Sequence, residues 1–166
     1  MEDIQPLMDK VGTDEQLWGG PYKTILGYAN AHYQHIHMPG YIWPNDCSTC
    51  DVATSATANT FGSFVELVGA GDIEAPYDCH WINIEQITVS GVYIVEFHVV
   101  SDTDLQESER FLTAWSISRE SNFDRSAQIM VQMPAIAGGK RVGARAKKSG
   151  AESGTVRFNI HYHEYE

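Results

Sequence analysis

The segment from Thr155 to Tyr165, TVRFNIHYHEY, constrains the fold more than any other. Val156, Phe158, Ile160 and Tyr162 fall on one side of a period-two pattern, and Arg157, Asn159, His161 and His163 on the other. A helix would scatter both sets around its axis, whereas a pleated strand separates them, so this is a strand with one apolar and one polar face. A strand this late in the chain must pair with strands made much earlier. That points to an all-β sandwich closed by its own C-terminal strand rather than to a series of local hairpins.

Six further runs have strand character: 61–68, 80–89, 91–100, 111–118, 127–133 and 141–146. With 155–165 they make a set separated by short turns, as a sandwich requires. In the run beginning at Gly91, Tyr93, Val95, Phe97 and Val99 alternate with Ile94, Glu96, His98 and Val100, and the first set is expected in the core. Ser90-Gly91 is expected to turn a hairpin, because glycine supplies the positive φ of tight turns. Residues 101–110 are acidic and almost free of apolar side chains, which suits a solvated outer loop.

Residues 1–58 differ from the rest and are expected to form an extended, loop-rich arm ahead of a sandwich domain at 59–166. Gly19, Gly20, Pro21, Pro39, Gly40 and Pro44 break any long helix there. The arm is nevertheless aromatic. Left exposed, Trp18, Tyr22, Tyr28, Tyr41 and Trp43 would make a large apolar patch of a kind that monomers rarely tolerate, so the arm is expected to need a surface to bury against.

At 166 residues the chain is long enough for one domain with a substantial core. Its formal charge of −11 is unevenly spread. An acidic body is a poor general binder of nucleic acid, whose affinity rests on neutralising phosphates. Lys140, Arg141, Arg145, Lys147 and Lys148 form the single basic cluster, read either as a solvated strand edge or as a grip on an acidic protein surface. No stretch approaches the ~20 apolar residues that span a bilayer, so no membrane partner is expected. The opening MEDIQPLMDKVGTDEQ has no apolar signal core, and export by a signal peptide is not expected.

Seven histidines raise the question of a metal. His35 and His37, and likewise His161 and His163, are two apart and on a strand would share a side, but neither pair has a third ligand in its local pattern. Cys47 and Cys50 have C-x-x-C spacing without the strand-to-helix setting of a redox motif. Either could pair with Cys79 in an oxidising medium, although three reduced thiols fit an odd count as well. No nucleophile elbow, phosphate-binding glycine loop or H-E-x-x-H occurs. Neither catalytic, metal nor cofactor residues are assigned, and the chain is not expected to be an enzyme.

Three segments carry a family likeness: HIHMPGYIWP; ANTFGSFVELVGAGDIEAPYDCHWINIEQIT; and GGKRVGARAKKSGAESGTVRFNIHYHEY. Across residues 35–165 they resemble a group of tailed-bacteriophage virion proteins with an H-x-H-x-P arm, a D-x-H-x-x-N strand, an arginine-rich strand after a Pro-Ala-Gly turn, and a final Y-H-x-Y. The chain departs at Ala137-Gly138-Gly139-Lys140, where glycine still permits the turn. The resemblance implies a jelly roll similar to the tumour-necrosis-factor fold, assembled as homotrimers that decorate the capsid surface. The partners would be a second copy of the chain, the major capsid protein and other head proteins, in a virion made in the host cytoplasm. Contact is expected through Trp18, Tyr22, Tyr28, His35, His37, Tyr41, Trp43, Arg141 and Arg145. Trp81, Tyr93 and Tyr162 are expected to leave aromatic faces for the threefold contact. A head- or tail-fibre module recognising a receptor or glycan is the alternative, and a cupin-like metal enzyme a more distant one.

Overall fold

The winding of the chain follows from which strands find each other. A computed structural model describes residues 40–44, 49–119 and 127–165. The strands among them are β1 (Gly40–Trp43), β2 (Cys50–Ala53), β3 (Val65–Val68), β4 (Tyr77–Ile87), β5 (Gly91–Val100), β6 (Ser108–Arg119), β7 (Ala127–Met130), β8 (Val142–Lys148) and β9 (Thr155–Glu164). β2 pairs with β9, β3 with β8, β4 with β7 and β5 with β6, all antiparallel. In this nested series the first four strands of the roll fold back along the last four, which is the winding of a jelly roll. Pairing of β9 with β4 and of β8 with β5 completes two sheets, β1-β9-β4-β7 with β2 also on β9, and β3-β8-β5-β6.

The two sheets bury the residues that alternation selected. Val156, Phe158, Ile160 and Tyr162 of β9 meet Tyr93, Val95, Phe97 and Val99 of β5 in one core. Phe158 sits edge-on to Phe97 at 5.6 Å and to Trp115 at 6.1 Å, which locks the sheets together at mid-height. A fully buried side chain of this size contributes roughly 1.5–3 kcal/mol relative to an exposed one. Tyr93 keeps its hydroxyl satisfied by donating to the Val89 carbonyl at 2.6 Å. Only glycine fits beside it: a Cβ on Gly154 would lie 2.3 Å from that hydroxyl.

Four expectations need correction. β1 and β2 fall in the segment assigned to the arm, yet both pair with β9; they are four residues long and too short to show a period. Ser90-Gly91 does not turn a hairpin, since β4 and β5 belong to different sheets and the turn carries the chain across the sandwich. The basic strand β8 is no edge, because β3 and β5 flank it. Tyr93 and Tyr162 leave no aromatic face, for both are buried at 0% and 6% exposure; Trp81 is half-buried. The expected arm over residues 1–39 lies outside the described residues.

Candidate functional site

The outer face of the β1-β9-β4-β7 sheet gathers polar and aromatic side chains from strands distant in sequence. Antiparallel register sets Ile42, His161, Trp81 and Met130 in one row across the four strands. Met130 is the most open of them, at 79% exposure. The next row is Asn159, Asn83 and Gln128. Asn83 Nδ2 donates to Asn159 Oδ1 at 2.9 Å and meets His161 Nε2 at 2.6 Å. An amide nitrogen offers only protons, so His161 accepts at Nε2 and carries its own proton on Nδ1. Asn159 in turn donates to Glu85 at 3.4 Å. With Ala127 and Gln128 these residues line an open cleft of about 440 Å³.

A second cluster occupies the other end of the same face. The β4 register shifts between Cys79 and Trp81, so that His80 is an extra residue opposite β9. Such a bulge re-aims side chains. Asp78 lies directly across from His163, and His80 Nε2 is 3.0 Å from Asp78 Oδ1. The His80 and His163 rings lie against each other, tilted by 37°, with centroids 4.7 Å apart. The Tyr165 hydroxyl donates to Asp78 Oδ2. Asp78 is 7% exposed, which is unusual for a carboxylate and fits one held by hydrogen bonds.

The outer face of the opposite sheet uses its charges internally. Arg145 donates through Nε and Nη2 to Glu96 Oε2 at 3.0 and 2.9 Å, with its guanidinium over Phe61 and Phe64. Lys147 covers the other part of Phe61, 4.6 Å from its centre. Arg141 pairs with Glu66 at 3.0 Å. Lys148 is buried at 3% exposure. Both arginines of the basic cluster are thus paired with acids of their own sheet. His98 beneath it contacts Ser108 at 2.7 Å, and burial lowers its pKa.

Of the expected contact residues, Tyr41 is open at 44% and rests against Tyr162, whereas Trp43 packs on the core and donates to the Leu67 carbonyl at 2.6 Å. Arg141 and Arg145 make the intrasheet pairs just described. Trp18, Tyr22, Tyr28, His35, His37 and Cys47 lie outside the described residues. Cys50 and Cys79 are both buried thiols, directed at the carbonyls of Leu67 and Trp81. Burial pushes the Cys79 thiol up to about 12, so almost no reactive thiolate exists at neutral pH. Sequence reasoning missed Asp78, His80, Asn83, Glu85 and Gln128. Their signal was the D-x-H-x-x-N spacing on β4, which acquires chemical meaning only once β9 is laid beside it.

No family model matches the chain, and no curated protein sequence does. Among solved structures it is similar to the C-terminal CBM6 module of LamC, a laminarinase of Zobellia galactanivorans, at 8% identity and TM-score 0.34, covering 69% of this chain and all of that one. An aminopeptidase from a marine-sediment Thaumarchaeota archaeon matches at 7% identity and TM-score 0.31, over 70% of this chain and 33% of its own. The CBM22-1–GH10 modules of the Clostridium thermocellum xylanase 10B, complexed with xylohexaose, match at 10% identity and TM-score 0.30, over 76% of this chain and 26% of theirs. Likenesses this loose carry nothing about function, and the jelly-roll architecture rests on the strand pairing itself.

Proposed function

We propose that the chain is a non-enzymatic virion structural protein of tailed bacteriophages, a decoration or cement protein that binds the outer capsid as a homotrimer and stabilises the head. The observation that carries this reading is the meeting of two motif segments behind the family likeness. Asp78, His80 and Asn83 of the D-x-H-x-x-N strand, and His163 and Tyr165 of the final Y-H-x-Y, share one side of one sheet although more than 70 residues separate the two segments. A likeness scattered through a core would reflect packing alone, whereas polar side chains that converge on the outer side of one sheet, with His80, Asn83, His163 and Tyr165 half-buried there, support recognition. Surface apolar residues support assembly as well. Phe111 and Val92 on the β5-β6 side are 53% and 49% exposed, and Met130 stands out on the edge strand β7.

Light scattering on the purified chain should give three times 18.5 kDa, and the protein should saturate expanded, undecorated heads at hundreds of copies. A mass near 18.5 kDa at micromolar concentration together with no head binding would refute the proposal.

The cleft at Asn83, Glu85, Gln128, Asn159 and His161 favours a second reading, a fibre module that binds a glycan. Amide donors and acceptors beside the half-buried Trp81 are the groups that hold a sugar's hydroxyls and its apolar face. Copy number separates the two: a few to some dozens per particle would favour the fibre.

A further inference from the structure

We propose that Asp78, His80 and His163 form a three-ligand site for a borderline divalent cation of the Zn²⁺ type, with its remaining position open to water. One ligand atom from each of the three lies within 4.8 Å of the other two. Bound to one ion at ~2.0–2.2 Å, tetrahedral donors stand about 3.4 Å apart, so small side-chain rotations bring the set to bonding distance. Two imidazoles and one carboxylate suit Zn²⁺ and its first-row neighbours and do not suit the all-oxygen preference of Ca²⁺ or Mg²⁺.

Two features of the backbone build this set. Alternation puts Asp78 and His80, two residues apart on β4, on one side of the strand, with His80 the extra residue opposite β9. Register then delivers His163 from β9 opposite Asp78. The outer partner is in place too: Tyr165 donates to Asp78 Oδ2, which holds the carboxylate with Oδ1 toward His80. A hydrogen-bonded carboxylate of this kind is the usual support of a metal ligand. Binding a cation there would displace the hydrogen bond between His80 Nε2 and Asp78 Oδ1.

The site ties the end of β9 to the start of β4, so metal binding would stabilise the fold by mass action. It is independent of whether the chain decorates a capsid.

The test uses the full chain, stripped with chelator and titrated with ZnCl₂ by calorimetry, with histidine ring ¹⁵N resonances as a second readout that needs no variant. The expected result is one saturable site per chain, movement of the His80 and His163 nitrogens, and a raised melting temperature. His80→Asn and His163→Asn, checked for folding by circular dichroism, should each abolish saturable binding. Tyr165→Phe should weaken it about 10- to 100-fold. His161→Asn, in the neighbouring row, should leave it intact. Absence of saturable binding, unmoved His80 and His163 resonances, or binding that survives both ligand variants but is lost in His35→Asn/His37→Asn would each overturn the proposal.

Discussion

The two outer faces of this sandwich are built from similar residues and use them differently. On the β3-β8-β5-β6 side, Arg145, Glu96, Phe61 and Lys147 satisfy one another in a closed network. On the β1-β9-β4-β7 side, Asn83, Asn159 and His161 are linked, but Gln128 and Glu85 beside them remain exposed, and Asp78 with two histidines stands ready around a shared point. Polar groups consumed by neighbours hold structure, whereas polar groups organised yet open are the ones left for contacts outside the chain. Charge content alone would have drawn attention to the other sheet, since the basic cluster lies on the closed face.

The comparison depends on one core shared by both faces, and Phe158 is where that can be broken. Phe158→Ala should cost about 3–5 kcal/mol, with both faces lost in a single urea transition; separate transitions for Trp81 and Trp115 fluorescence would show that the sheets are not one cooperative unit. If the basic face is structural, Arg145→Met should cost about 1–2 kcal/mol in the same assay, because it leaves the Glu96 carboxylate without its guanidinium and Phe64 without its cation. A loss of head binding with unchanged stability would reverse the assignment of that face.

A smaller effect sharpens the contrast through pH. The buried His98 has its pKa lowered from 6.5, so the unfolded chain binds a proton more readily than the folded one. Stability should therefore be complete above about 6.5 and should decline as pH falls below it. Denaturation midpoints between pH 7.5 and 5.5 would show this, and His98→Gln should flatten the curve over that window. The smallest effect belongs to the open face: Gln128→Ala should change stability by no more than about 0.5 kcal/mol while altering whatever the cleft binds, as a glycan titration monitored by Trp81 fluorescence would report.

Much of the architecture was legible in the sequence, and the limits have physical reasons. β9 and β5 showed themselves because ten-residue strands with one buried face keep a period long enough to read. β1 could not, since its four residues run exposed, exposed, exposed and half-buried, without alternation. The turn at Ser90-Gly91 was visible but its destination was not, because the same residues serve a hairpin and a crossing between sheets. The histidine–aspartate cluster needed a fact that no single strand contains, the pairing of Asp78 with His163. Reading His161 and His163 against their own strand alone hid both partners.

The position of β9 also bears on how fast the molecule can form. It joins β1, β2 and β4, so most of one sheet waits for a segment that comes ninth in chain order. Pairings of such long sequence separation close slowly, and a sandwich dominated by them should fold in milliseconds to seconds rather than microseconds. Until residues 155–164 dock, β4 offers an unpaired edge on the side that β9 will occupy, open to the same edge of another chain. Crowded synthesis therefore sets β9 docking against association between chains, and a slower arrival of this one strand would raise the aggregated fraction without changing the stability of the finished fold.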